Sequence, residues 1–140
     1  MAEYVVDTSI IMQEFIQERY TEQVRRLFSG LVGEDQLYIP AFCLVECANV
    51  LWKHVRFDSM SQGEAETLID DLLNLPFTVV SIEESLPRAL QIGVAHKLAI
   101  YDSIYIALAE KYGYPLITAD AGQETAAKTV GIIIKPITDF

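Results

Sequence analysis

The sequence predicts an α/β domain in which a parallel five-stranded sheet is covered by helices on both faces. Short runs rich in Val, Ile, Tyr and Thr alternate with longer stretches whose apolar residues recur at helical spacing. Strands separated in this way by helices pair in parallel and bury both faces of the sheet. With 140 residues, 51% of them hydrophobic, the chain is sized for one core, so residues 1–140 read as a single domain.

The first strand is Tyr4-Val5-Val6 and the second Leu37-Tyr38-Ile39. After the second, Ala41, Leu44, Val45, Ala48, Leu51, Trp52 and Val55 follow i, i+3, i+4, i+7 spacing and predict a helix over 41–55. Ala65, Leu68, Ile69 and Leu72 mark another helix, and Phe77-Thr78-Val79-Val80 the third strand. A helical stretch ends at His96-Lys97, a solvated end. Tyr101, Ile104, Tyr105 and Leu108 begin a further helix, stopped by Gly113 and Pro115. Pro115-Leu116-Ile117-Thr118 and Ile132-Ile133-Ile134 are the last two strands. Right-handed crossovers make such a sheet doubly wound, with its site beyond the carboxyl ends of the strands.

Composition narrows the function. Twenty acidic against ten basic residues leave a net charge of −10, which argues against binding nucleic acid or anionic lipid by bulk charge. It leaves room for a nucleic-acid enzyme that brings metal cations to the phosphate. No apolar run is long enough to span a bilayer and no basic, apolar leader opens the chain, so a cytoplasmic protein without a membrane partner is expected. Cys43 and Cys47 stand one helical turn apart with no further ligands at metal-binding spacing, and read as buried free thiols in a reducing compartment. Two histidines without partners give no Ser–His–Asp or Cys–His arrangement, and no Gly-rich phosphate loop is present.

The chemistry lies in the acids. Asp7 follows the first strand and Asp120 the fourth, so both open on one edge of the sheet. Asp102 stands at the start of the 101–112 helix. Glu46, five residues after Ala41, lies about 140° from it around the 41–55 helix and leans toward the strand ends, sharing its face with Asn49, Val50 and Lys53. Singly, each Asp is an ordinary helix cap, and Asp120-Ala121-Gly122-Gln123 resembles a capping box. Together, with no Lys or Arg within three positions of Asp7, Asp102 or Asp120, the acids repel and call for a hard divalent cation. Their charge matches two Mg²⁺ or Mn²⁺ ions, which about 4 Å apart clamp the attacking and leaving oxygens of phosphoryl transfer. Among the cations, Lys53, His54 and Arg56 stand near a helix C-terminus, where they oppose its dipole, and Lys53, on Glu46's face, is the one placed to meet a phosphate. Trp52, Phe57, Tyr101, Tyr105 and Tyr112 read as core or dimer contacts; an exposed ring beside the site would stack a base.

With Asp7-Thr8-Ser9, Glu46, Tyr101-Asp102-Ser103-Ile104-Tyr105-Ile106-Ala107-Leu108-Ala109 and Thr118-Ala119-Asp120 in this order, the chain resembles the PIN-domain nucleases, and among them the VapC-type toxins. The resemblance implies a three-layer domain with strand order 3-2-1-4-5 and a Mg²⁺- or Mn²⁺-dependent endoribonuclease leaving 5′-phosphate and 3′-hydroxyl ends. It implies that Asp7, Asp102 and Asp120 hold metal, that Glu46 binds a second metal or orients the attacking water, and that Ser9, with Thr118, supports the first Asp. Asn49 and Lys53 are the residues placed for RNA contact. The resemblance also implies a homodimer and a small antitoxin partner whose basic side chain enters the acidic site. Ala121-Gly122-Gln123-Glu124 departs from the family, which often has an aromatic there, and makes Glu124 a further candidate acid. The alternatives are a receiver-like signalling domain, suggested by Asp7 and Lys135-Pro136 but lacking paired acids after strand one and an acceptor at Val80-Ser81-Ile82, and a catalytically silent PIN-like binding module.

Overall fold

The structure, a computed structural model, describes residues 1–140. Its strands are β1 (Glu3–Val6), β2 (Gln36–Pro40), β3 (Thr78–Val80) and β4 (Leu116–Ile117), all parallel, in the order β3-β2-β1-β4. Val5 pairs with Tyr38 on one side and Leu116 on the other. Consecutive Val5 and Val6 point to opposite faces, and both are fully buried, so helices cover the sheet on both sides.

Where a fifth strand is expected, at 132–134, only a single parallel bridge joins Ile134 to Leu116. The sheet therefore has four strands rather than five. β4 offers just two residues to a neighbour, and Pro136 has no N–H to extend the ladder before the chain turns into a 3-10 helix at Ile137–Asp139. The order also sets aside the receiver alternative. Receiver-type sheets run 2-1-3-4-5, with β1 between β2 and β3; here β1 lies between β2 and β4.

The helices are α1 (Thr8–Phe15), α2 (Thr21–Ser29), α3 (Phe42–Phe57), α4 (Gln62–Leu73), α5 (Leu86–His96), α6 (Ile100–Tyr112) and α7 (Ala121–Val130). In α6, Ser103 to Ala109 are buried without a break, the mark of a helix enclosed on all sides. Gly113 ends it at φ 72°, a conformation that suits glycine. In α3 the buried stripe is Cys43, Cys47 and Leu51, rotated from the predicted one: Val45 is 69% and Trp52 55% exposed. Phe57 and Tyr101 are also exposed rather than core, whereas Tyr105 is buried. Both cysteines are buried and free, as expected. No single helix is long and apolar enough to cross a membrane.

Leu108 on α6 is fully buried and Val32 almost fully exposed. Leu108→Ala is expected to cost about 2–5 kcal/mol in urea unfolding, and Val32→Ala less than about 0.5 kcal/mol.

Candidate active site

Asp7 leaves the end of β1 as the N-cap of α1, its Oδ1 accepting the Ile10 N–H. The capping role and the site position thus coincide. Ser9 Oγ donates to Asp7 Oδ1 at 2.6 Å, and Thr118 Oγ1 donates to Oδ2 at 2.7 Å. Thr118 also accepts the Asp120 N–H at 3.0 Å, and Ser9 the Ala119 N–H at 3.0 Å. Two hydroxyls therefore clasp the end of β1 to the end of β4 and bring Asp120 beside Asp7. Asp120 caps α7 through the Gln123 N–H at 2.7 Å. Buried Gln123 then donates its side-chain amide to the Asp102 carbonyl at 3.0 Å, tying α7 to the first turn of α6. Asp102 caps nothing: the N-cap of α6 is Ala99.

Glu46 reaches the same edge from α3. Its Oε1 accepts from Thr8 Oγ1 at 3.0 Å and from the Tyr105 hydroxyl at 2.8 Å. Thr8 adjoins Asp7, and Tyr105 lies one turn beyond Asp102, so Glu46 is bonded to the neighbours of two other acids. All four predicted acids are thereby brought to one edge. Asn49 joins Glu46 in lining a cavity with Phe42, Val45 and Tyr101, while Lys53 is exposed. Glu124 pairs with Lys128 at 3.0 Å and lines a separate cavity with Thr118 and Ala119.

The electrostatics record the crowding. Burial pushes the Asp7 carboxyl up to about 6 from 3.8; the nearby Asp120 charge adds to the rise, and the Ser9, Thr118 and Ile10 hydrogen bonds oppose it. Asp102 is also held above the usual carboxylate range, by burial first and then by Asp120 and Glu46. The acids form an open rim rather than a closed cage: no three His, Cys, Asp or Glu side chains are spaced to clasp an ion between them.

Thr8, Tyr105 and Gln123 complete this framework and were not singled out from sequence as its fasteners. The signals are present in part. Thr8 stands between the two residues of the Asp7–Ser9 pair, and Tyr105 is three residues from Asp102, on the same helical face. Gln123 is visible in sequence only as the far end of the capping box.

The fold and this acidic edge define a class of α/β domain, and comparison with known proteins identifies it. The profile of the PIN domain matches residues 4–129, and the chain belongs to the PIN-domain family. It is similar to ribonuclease VapC3 of Pyrobaculum aerophilum, 35% identical over 118 residues covering 83% of this chain and 88% of that protein. Its fold is that of the Pyrobaculum aerophilum protein PAE2754, with a TM-score of 0.75 at 22% identity over 99% of this chain and 91% of that one. It is shared with a chain of a toxin–antitoxin complex from Klebsiella pneumoniae, with a TM-score of 0.54 at 16% identity over 84% of this chain and 86% of that one.

Asp7 keeps its proton up to about pH 6 when folded but releases it near 3.8 when unfolded. The folded chain binds more protons in that window, so the stability contributed by this group falls as pH rises through it and stays lower above it. Asp7→Asn removes the effect. The variant and the wild type are expected to melt alike near pH 4 in EDTA, and the variant to be more stable near pH 8 by up to about 3 kcal/mol, at about 1.4 kcal/mol per pH unit. Thermal unfolding across that range is the check.

Proposed function

We propose that this PIN-domain chain is a divalent-metal-dependent endoribonuclease and the toxin of a toxin–antitoxin pair. The observation that carries the reading is the placement of Asp7, Glu46, Asp102 and Asp120 at one sheet edge: Thr118 bonds Asp7 and the Asp120 N–H, Thr8 and Tyr105 bond Glu46, and Gln123 bonds the Asp102 carbonyl. The similarity to a protein named as a ribonuclease supports RNA as the substrate.

The donor set fits Mg²⁺ or Mn²⁺. Every donor is an oxygen, the ligand hard cations take. Burial raises the Asp7 and Asp102 carboxyls first and neighbouring acids add to the rise, and a divalent ion beside them would oppose both effects. An open rim suits Mg²⁺, which keeps several waters and takes one or two carboxylates together with substrate phosphate. When bound, the cation lowers the pKa of a water and neutralises charge on the phosphate.

Asp7, Asp102 and Asp120 are the carboxylates that would hold the metal, one or two at a time, with water and substrate phosphate completing its shell. Ser9 and Thr118 fix both oxygens of Asp7 by hydrogen bonds and so set the orientation of its carboxylate. Glu46 is anchored through Oε1 alone; its Oε2, free of hydrogen bonds within the chain, orients the attacking water or takes a second cation. Water attacks phosphorus, the bond to O3′ breaks, and the products carry a 5′-phosphate and a 3′-hydroxyl. Asn49 and Lys53 touch the RNA. Residues 1–140 act as one domain, in the cytoplasm. A small antitoxin with a cationic segment answers the charge of −10. A second copy of the chain covers Leu86, Leu90 and Val94, which form an exposed apolar row on α5.

Wild-type protein is expected to cleave RNA with Mn²⁺ and to stop in excess EDTA. Asp7→Asn reduces cleavage to background. Thr118→Val, which removes a support of Asp7 and not a ligand, lowers it by about 10–100-fold. Equal cleavage with and without EDTA, at a rate untouched by Asp7→Asn, would end this reading.

A further inference from the structure

Next to Glu46 lies a cavity of about 280 Å³ walled by Phe42, Val45, Asn49 and Tyr101 as well as by Glu46 itself. Tyr101 is 62% exposed although it directly precedes Asp102. Phe42 meets its ring edge-to-face at 5.5 Å between centroids and 82°, and in turn meets buried Tyr105 at 5.8 Å. A stack of this kind runs from the core through Phe42 to the surface. It holds the Tyr101 ring edge-to-face against Phe42 and still leaves most of that ring exposed. An aromatic pair of this geometry leaves an exposed ring beside the acidic edge, supported from the core side.

We propose that Tyr101, Phe42 and Asn49 form a nucleobase subsite that seats the unpaired base flanking the phosphate cut at the carboxylates. The inference rests on the ribonuclease reading and specifies what grips the substrate. Three properties fit a base rather than an apolar peptide. The cavity shares a wall, Glu46, with the acidic rim, so its occupant is joined to whatever lies at the carboxylates. Beside the Glu46 wall its other polar group, Asn49, is neutral and carries both donors and an acceptor, which matches a base edge. Lys53, one helical turn beyond Asn49, is exposed and in no ion pair, and is in place for the next phosphate along the strand. Stacking supplies affinity where the net charge of −10 supplies repulsion, because every base offers a π-face regardless of charge. A base inside a duplex has both faces already stacked, so the subsite selects unpaired segments.

The test uses an unstructured RNA oligonucleotide, with cleavage measured in Mn²⁺ and binding measured by fluorescence anisotropy in Ca²⁺. Tyr101→Ala is expected to raise both KM and Kd about tenfold with kcat within about twofold. Tyr101→Phe, which keeps the ring, retains wild-type values. Trp52→Ala, an exposed ring lining the separate cavity against α4, changes neither. Replacing the flanking nucleotide by an abasic one weakens wild type by the same factor and leaves Tyr101→Ala unaffected, the non-additivity of two partners in contact. Wild-type KM and Kd in Tyr101→Ala would overturn the subsite and leave the rings as a protein contact. Tyr101-dependent binding without cleavage would overturn the ribonuclease reading and keep the subsite, whereas neither binding nor cleavage by wild type would overturn both.

Discussion

The structure turns on one buried carboxylate. Asp7 is only 5% exposed, at the end of a strand whose last two residues, Val5 and Val6, are fully buried. Desolvation alone would leave it neutral; the Ser9 and Thr118 hydroxyls and the Ile10 N–H offset part of that penalty. The same hydroxyls serve the turn after β4, since Ser9 accepts the Ala119 N–H and Thr118 the Asp120 N–H. One short network thus satisfies the buried acid, joins two parallel strands at their carboxyl ends, and sets the direction in which Asp120 leaves the sheet. Loss of either hydroxyl leaves a buried acceptor short of a donor and frees a turn.

A second consequence is that stability and function pull against each other at this edge. Asp7 and Asp102, raised by burial and then by neighbouring acids, are a cost to the folded chain, and no ion pair answers them: Arg26, Arg88, Lys111, Lys128 and Lys135 are paired with Glu22, Glu110, Glu84, Glu124 and Asp139. The molecule spends its ion pairs away from the site and leaves the rim negative. Such an arrangement is stable only as far as the hydroxyl and amide network holds it, and it prepares a site whose charge is balanced from outside.

Much of this was legible in the residues. Tyr4-Val5-Val6 followed at once by Asp, and Leu116-Ile117-Thr118 followed by Ala119-Asp120, place both acids at strand ends whatever the details of packing. Asp102 followed from the helix that Gly113 stops. The fifth strand was not legible, because Ile132-Ile133-Ile134 has every local property of a strand; what denies it is the two-residue length of β4, a property of its partner. The buried face of α3 was also misjudged. Val45 and Trp52 are more apolar than Cys43 and Cys47, so periodicity weighted toward large residues rotates the stripe. Cysteine, small and readily buried, is what fits against the neighbouring helix.

That rotation matters for the chemistry. With Cys43, Cys47 and Leu51 facing inward, Glu46 lies about 100° from the centre of the buried stripe, at its border and not across the helix from it. At the border its side chain meets Thr8 and Tyr105, groups that only the packed core presents, while its backbone stays on a solvent-facing helix. Phe42, one turn earlier and about 40° further round from the stripe, meets Tyr101 and Tyr105. The small residues under α3 therefore do more than fill space: by setting the roll of the helix, they aim a carboxylate and an aromatic wall at one point beyond the strand ends. Larger residues at 43 and 47 would push α3 outward and separate Glu46 from Thr8 and Tyr105 without touching any acid.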